Sequence, residues 1–584
     1  MRKACIYILL LIYMLSACEK KESDYKDVVV VEKQELNVLW IIAEDLSPNL
    51  SCYGDNTVNT KNIDRFAAGS LLYTNAYSTS PFGYPSRSAI FTGVFPHLTG
   101  TQHVSTTGKQ TEILPPAEIK IFTEYLRAAG YHCSFRGDVV FPFGEAFTMW
   151  NEVSSHEDGK NYRAAWENRP EGKPFFSTIY LSQTKEQNNL PKEQLEKILP
   201  EIYPNFSVED IKKYIDELYS SEEYQNIKIE PSKIKTPDYL SKSETVKKDF
   251  IKMYLNIKRL DNEVGKILTQ LQTDKLDENT IIFFFSENGR GLPGGKRWLY
   301  DDGIKVPLII KIPRVTPAGG RSEQLISLID LAPTLMVNLD MRTPDYMQGQ
   351  VFIGKRINDP RAHVFAARDR IDNADEKLRC VSDKQFKYIK NYTSTIPFDE
   401  EVELLPLFPT IKVMEKVSVD KQLEKATDKF IRKKPAEELY DLKNDPLELH
   451  NLAERDYFLN DLNKMRELYA EAEASIGGFI DTPEKEMLLA MDPGEGVELF
   501  TDIPKISPEG GRFGKAVEIS ISCNTAGASI AYAILPDGET DIQWEIYQKP
   551  FNLDRNCTLL TKAVRYGFEE SAIRSVSYTF DLVQ

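Results

Sequence analysis

Two short runs of oxygen-bearing side chains, far apart in the chain, are of the kind that holds a metal ion. Glu44-Asp45 and Glu287-Asn288 supply carboxylate and amide oxygens and no thiol or imidazole. Such a set suits a hard cation, Ca2+ or Mg2+, rather than zinc. A third run, Gly83-Tyr84-Pro85-Ser86-Arg87-Ser88-Ala89-Ile90-Phe91-Thr92-Gly93, places Ser86 near a helix start with Arg87 in the first turn. A helix N-terminus with a guanidinium beside it is a place for an anion, and equally an ordinary cap. Each pair taken alone reads as well as a solvated turn or a helix cap. Where the two pairs fall is what favours a metal.

Both follow strand signals. Val38-Leu39-Trp40-Ile41-Ile42 is a continuous apolar run, as a buried parallel strand should be, and Glu44-Asp45 comes directly after it. Ile281 to Phe285 is a second such run, followed by Ser286-Glu287-Asn288-Gly289. Phe175 to Leu181 and Val306 to Ile310 predict further strands. Residues 118–129 predict a helix stopped by Gly130, and Tyr131 to Phe135 a strand after it. A long helix is predicted over roughly 245–272, where Phe250, Tyr254, Ile257, Leu260, Val264, Ile267 and Leu271 recur at spacings of three or four. This alternation predicts an α/β fold, a sheet with helices on both faces, in which sites form at the carboxyl ends of the strands. Farther on, Phe386 to Ile389 is strand-like and Glu438 to Leu442 precedes an Asn444-Asp445-Pro446 turn, which suggests a smaller α+β subdomain. From about residue 500, short β-rich runs (Val517 to Ser522, Ser529 to Leu535, Thr558 to Val564, Ser575 to Phe580) predict a small β-sandwich.

The 584 residues are 41% hydrophobic and 27% charged, enough apolar material for a large core and, by length, two to four domains. A net charge of −16 disfavours nucleic acid as a partner. A polyanion would need a local cluster of Arg and Lys. Arg2 and Lys3 precede an apolar run, Ile6 to Met14, that is too short to span a bilayer and fits a signal peptide. Leu15-Ser16-Ala17-Cys18 then resembles a bacterial lipobox. The expectation is a lipoprotein signal peptide over 1–18, lipidation at Cys18, and a charged tether over 19–36. The chain would be exported and held at the cell envelope, periplasmic or surface-exposed, meeting the membrane through its lipid alone. Cys52, Cys133, Cys380, Cys523 and Cys557 are scattered with no CxxC pair, which predicts neither a disulfide framework nor a zinc site. Cys523 and Cys557 fall in the same last domain and could pair there, or each be a small buried residue.

Residues 83–93 match the sulfatase signature (Cys or Ser, any residue, Pro, Ser, Arg, four residues, Thr, Gly) at every fixed position but the first. Asn37 to Tyr53, Thr60 to Ala76, Phe283 to Pro307, Leu328 to Leu335 and Ala436 to Leu452 also look like sulfatase segments, in the expected order. The chain therefore resembles the sulfatase family over roughly residues 37–480, and within it the heparan N-sulfatase-like members. The resemblance implies an alkaline-phosphatase-type mixed sheet flanked by helices over 37–370, with a C-terminal subdomain over 371–490. Ile506 to Phe513 and Cys523 to Ile530 resemble the chitobiase C-terminal β-sandwich, here over 500–584. Carried over by motif, Glu44, Asp45, Glu287 and Asn288 would bind Ca2+. Arg87 would steady the catalytic residue and the metal. Arg87, Lys296 and Arg136 would contact sulfate, and His103 lies in the segment after the signature where relatives also carry His. The implied ligand is a sulfated oligosaccharide or a glycosaminoglycan fragment.

The departures from the family concern catalysis. Sulfatases oxidise the first signature residue to formylglycine, whose hydrate attacks sulfur, whereas Gly83 has no side chain to oxidise. Covalent catalysis needs an activated nucleophile, and neither Ser80 nor Tyr84 is placed by the signature to replace it. Lys185 stands where relatives place a His as the acid for the leaving group, and lysine donates a proton poorly near neutral pH unless its pKa is strongly lowered. Glu44 and Glu287 are each one methylene longer than the more common Asp, a change that the flexible coordination of Ca2+ tolerates. The expectation is a sulfatase-type protein that binds sulfated glycan with impaired hydrolysis or none. The alternative is an active sulfatase in which metal-bound water attacks sulfur without formylglycine. A phosphoesterase of the same superfamily would lack the same nucleophile, and the chain has only six His for a His-rich two-metal set.

Overall fold

In a computed structural model of the chain, the apolar run at 38–42 is the middle of strand β1 (Asn37–Ala43), buried along its whole length. The structure describes residues 36–581 apart from 106–112, 138–140, 142, 155–161, 204–205, 221, 394–403, 420–427, 432, 493 and 495–498, so Cys18 and its tether lie outside the described residues. Seven further strands join β1: β2 (Leu71–Tyr77), β3 (His132–Arg136), β4 (Glu152–Ser154), β5 (Phe175–Leu181), β6 (Thr280–Ser286), β7 (Lys305–Lys311) and β8 (Gly320–Ser327). They form one sheet in the order β4-β3-β5-β1-β6-β7-β2-β8. The sheet is mixed, as expected: β1 runs parallel to β5 and β6, while β7 is antiparallel to β6 and to β2.

Successive residues of β1 point into two separate cores, which is what a strand with helices on both faces requires. Leu39 and Ile41 pack with Phe250, Ile257, Leu260 and Val264 of the long helix. Val38, Trp40 and Ile42 pack on the other face with Ile90, Phe91, Phe122, Leu126 and Leu335. On the first face lie α1 (Lys61–Ala68), through Ile63 and Phe66, and α4 (Glu244–Thr273); on the second lie α2 (Gly83–Thr92), α3 (Phe122–Ala128) and α5 (Leu331–Asn338). The helix expected over 118–129 begins only at Phe122. Ile119 first closes a turn onto the Pro116 carbonyl, and Ile121 is extended, with ψ 143°.

A second sheet follows, built from β9 (Val364–Arg368), β10 (Leu378–Ser382), β11 (Phe386–Asn391) and β12 (Glu437–Asp441) in the antiparallel order β12-β11-β10-β9. Helix α6 (Leu459–Ile476) covers it with Leu462, Met465 and Tyr469. The four β-rich runs near the C-terminus are strands Val517–Ser522, Ser529–Pro536, Cys557–Val564 and Arg574–Phe580, shared between a three-stranded and a five-stranded sheet. Ile519, Leu553, Leu559 and Tyr578 belong to the core they form. Cys523 and Cys557 are both free thiols. Among the described residues no helix is long and apolar enough to cross a membrane.

Candidate functional site

The parallel register of β1 with β5 and β6 aligns Ala43 with Leu181 and with Ser286, so three strands end together. Short bonds sew these ends to one another. Glu44 N donates to the Leu181 carbonyl at 3.0 Å, Leu46 N to the Asn288 carbonyl at 3.1 Å, and Ser286 Oγ to the Ala43 carbonyl at 2.9 Å. Glu44, Asp45, Glu287 and Asn288 are thereby brought to one edge of the sheet and buried. Asp45 has φ 54°, a left-handed conformation that Asp tolerates better than most residues. Its Oδ1 accepts from Asn288 Nδ2 at 2.8 Å, and its Oδ2 from Lys296 Nζ at 2.8 Å and from Glu186 N at 2.7 Å.

Helix α2 delivers Gly83 and Arg87 to the same edge. Ser86 is not its cap: the N-cap is Phe82, and Ser86 Oγ instead donates to the Glu287 carbonyl at 2.5 Å, tying the helix to the end of β6. The Glu287 carboxylate reaches back toward the helix. Its Oε1 accepts from Tyr180 OH at 2.5 Å and from Arg87 Nη2 at 3.0 Å. A Cβ added to Gly83 would overlap that Oε1, lie 3.1 Å from the Glu287 carboxyl carbon, and lie 3.4 Å from Arg87 Nη2. The space into which a side chain at 83 would project is therefore taken by the end of Glu287.

Each carboxylate of the cluster faces a cation of the protein itself. Asp45 has Lys296, Glu287 has Arg87, and Glu44 Oε1 lies 3.7 Å from Lys185 Nζ. Lys185 also donates to Tyr203 OH at 3.0 Å. Burial opposes its charge, but Glu44 and Tyr203 outweigh burial and hold the ammonium above its ordinary pKa, so it keeps its proton. Burial, with Asp45 and Glu287 adding and Lys185 and Lys296 opposing, lifts the Glu44 carboxyl to about 7. Among the described residues no three His, Cys, Asp or Glu side chains stand close enough together to form a ready-made metal cluster. Yet Glu44 Oε2, Glu287 Oε2 and Asn288 Oδ1 are buried oxygens with no hydrogen-bond partner among the described residues. Such oxygens are costly to leave bare, and a hard divalent cation is a partner this donor set fits.

Comparison with known proteins gives this arrangement its family. The family profile described as Sulfatase matches residues 36–341, and the one described as N-sulphoglucosamine sulphohydrolase, C-terminal, matches residues 294–430. An ulvan-active sulfatase of Formosa agariphila is 34% identical over 94% of this chain and 92% of its own length. The chain belongs to the sulfatase family. Human N-sulphoglucosamine sulphohydrolase is a more distant relative, 22% identical over 74% of this chain and 89% of its own length. Two solved structures share the fold. One, in complex with its substrate D-glucosamine-2-N,6-O-disulfate, has a TM-score of 0.54 at 18% identity and covers 77% of this chain and 100% of its own. The other, a 2-O GAG sulfatase, has a TM-score of 0.52 at 16% identity over 78% of this chain and 94% of its own.

Of the residues singled out in the sequence, Gly83, Arg87, Lys185, Lys296, Glu44, Asp45, Glu287 and Asn288 come together. His103 is tied elsewhere, with Nδ1 3.7 Å from Glu484, beside the Arg370–Glu484 and His97–Asp369 pairs. Arg136 is buried at the end of β3 with its guanidinium 5.7 Å from the centre of the Tyr162 ring. Tyr84 packs against Val104 and Ile371. Sequence reasoning missed Tyr180, Tyr203 and Glu186. Tyr180 is the penultimate residue of a buried strand, where only its hydroxyl departs from the apolar pattern. Glu186 binds through its backbone N–H, which no side-chain motif records.

Proposed function

We propose that this protein binds a sulfated glycan in a sulfatase-type pocket without cleaving it by the formylglycine route. The observation that carries the reading is the Glu287 carboxylate lying where a side chain at Gly83 would project. A nucleophile is missing from the position the family uses, and a fixed negative group fills its place. Arg87, Lys296 and Lys185 remain as the residues that would hold a sulfate. The ligand class follows from relatives named as an ulvan-active sulfatase and an N-sulphoglucosamine sulphohydrolase. In the same proposal Glu44, Asp45, Glu287 and Asn288 hold Ca2+, which would add positive charge to a cluster whose three carboxylates and three cations otherwise balance. The mature chain would be lipidated at Cys18 and anchored at the bacterial envelope. It would be divided into a catalytic-type domain over 37–370, a subdomain over 371–490 and a β-sandwich over 500–584.

The test compares the unmodified chain with Gly83→Cys and Gly83→Cys/Glu287→Asp, each produced with a formylglycine-generating enzyme. Desulfation of heparin- and chondroitin-derived oligosaccharides is the readout. The unmodified chain and the single variant are expected to be inactive, the latter because the Glu287 carboxylate still obstructs position 83. The double variant, with that carboxylate withdrawn by one methylene, is expected to gain turnover. Desulfation by the unmodified chain would overturn the proposal in favour of an active enzyme that needs no formylglycine.

A further inference from the structure

Arg297, which follows Lys296, is held in a manner that the carboxylate cluster does not account for. Its φ is 82°, in the region that favours glycine, and the residue is fully buried. Strain of this kind collects where the surrounding structure needs one particular side chain. Its backbone N–H donates to the Pro81 carbonyl at 2.9 Å, its guanidinium lies 5.5 Å from the centre of the Phe82 ring, and its Nη1 pairs with Glu186. The Nε and Nη2 atoms have no hydrogen-bond partner among the described residues. Those two atoms form the edge with which a guanidinium grips a carboxylate or sulfate through parallel bonds. Bare buried donors are costly, and a charged one more than a neutral one.

A second buried guanidinium stands behind it. Arg368, at the end of β9, donates Nη1 to the Arg297 carbonyl at 2.8 Å; its Nη2 lies 2.7 Å from Glu376 Oε2, and its Nε lacks a hydrogen bond. Burial, with the Arg297 charge adding to it and the Asp372 carboxylate opposing, pushes the Arg368 guanidinium down to about 9. An oxyanion would relieve the bare Arg297 edge and add to the partial compensation that the Asp372 carboxylate gives both guanidinium groups. The place adjoins the first site through Glu186, which pairs with Arg297, lies 3.8 Å from Lys296 Nζ, and donates its N–H to Asp45.

We propose that Arg297, backed by Arg368, is a second oxyanion-binding position that takes a further acidic group of the glycan, a second sulfate or a uronate carboxylate. This rests on the reading that Lys296, Arg87 and Lys185 hold the first sulfate. The ligand would then carry two acidic groups on one sugar or on adjacent sugars. One sulfate alone would leave the Arg297 edge bare.

Calorimetry on the full mature chain with Ca2+ tests this with three probes: glucosamine 6-O-sulfate, glucosamine 2-N,6-O-disulfate, and a disaccharide of a uronate with glucosamine 6-O-sulfate. At least one two-anion probe is expected to bind about tenfold tighter than the single sulfate or better, and which one identifies the second group. Arg297→Gly removes the guanidinium and suits the positive φ. It should erase the gain and leave affinity for glucosamine 6-O-sulfate within about twofold. Because Glu186 would then be buried without its partner, Arg297→Gly/Glu186→Gln serves as a charge-balanced second variant, with folding checked by thermal melt. Equal binding of one-anion and two-anion probes by the wild type, or a gain that survives in both variants, overturns the inference alone. Failure of the wild type to bind any of the three overturns the glycan-binding reading and this inference with it.

Discussion

A missing side chain at Gly83 and one extra methylene at Glu287 are complementary, since the second fills what the first leaves. With Asp at 287 the carboxylate would stop short, and with any larger residue at 83 it would have to move. It is buried and held by Tyr180 and Arg87, so moving it breaks two bonds to a charged acceptor. Gly83→Ala is therefore expected to destabilise the chain by about 1–3 kcal/mol, the usual range for overpacking a well-filled interior. In the Glu287→Asp background the same change should cost less, with a coupling of about 1 kcal/mol. Urea denaturation of the two single variants and the double variant measures this, and strictly additive effects would show that the two positions do not share the space.

At the scale of elements, the turn that carries Lys185 and Glu186 depends on helix α4. Asn256 Nδ2, buried on that helix, donates to the Asn188 carbonyl at 3.1 Å and to Asn189 Oδ1 at 3.0 Å. Asn189 Nδ2 in turn donates to the Gly291 carbonyl at 3.1 Å, joining the turn to the segment after β6. Asn256→Ala leaves two buried acceptors bare, at about 1–3 kcal/mol for each unsatisfied group. The expected outcome is a lower melting temperature together with faster amide exchange over 186–189, while exchange within β1 stays slow. Unchanged exchange in the turn would mean that it holds itself.

The whole molecule is joined through α3, which lies between the large sheet and the C-terminal sheets. Ser529 Oγ donates to Glu124 Oε2 at 2.5 Å, Arg127 Nη2 to the Trp544 carbonyl at 3.2 Å, and Lys562 Nζ lies 3.7 Å from the centre of the Phe147 ring. Tyr566 is buried among residues of the main core and stacks on Phe143 at 5.8 Å. Tyr566→Ala should cost about 3–5 kcal/mol, as loss of a large buried ring does, and should lower the unfolding midpoint of the main body along with that of the C-terminal sheets. Two separate calorimetric transitions, only one of them shifted, would show that the sheets fold independently. The response to acid is also a property of the whole chain. Burial holds His97 below its ordinary pKa, and burial with Arg127, Lys173 and Arg169 takes His132 down to about 4. Between pH about 6.5 and 4 the unfolded chain gains protons on these imidazoles that the folded chain refuses, so their effect is to lower stability as pH falls. Glu448, lifted to about 7 chiefly by burial, acts in the opposite sense over much of that range. The His132 contribution is therefore measured as a difference: from pH 7 to 4.5 the melting temperature of His132→Gln should fall less than that of the wild type.

Apolar runs and their spacing were enough to locate β1, β5, β6 and helix α4 to within about a residue or two, because continuous burial leaves a continuous apolar signature. The oxygen-bearing pairs after two of those strands, and the Gly where the family signature needs Cys or Ser, are equally plain, since each is a matter of residue type and local order. The start of α3 is not legible in the sequence, because turn geometry at Pro116, rather than periodicity, sets it. What only the tertiary structure decided is which charge meets which. Asp45 faces Lys296 across 251 positions of sequence, and Glu287 fills the space beside Gly83 across the strand edge. Those pairings come from the register in which three strands end together, a long-range property that no local run of residues encodes.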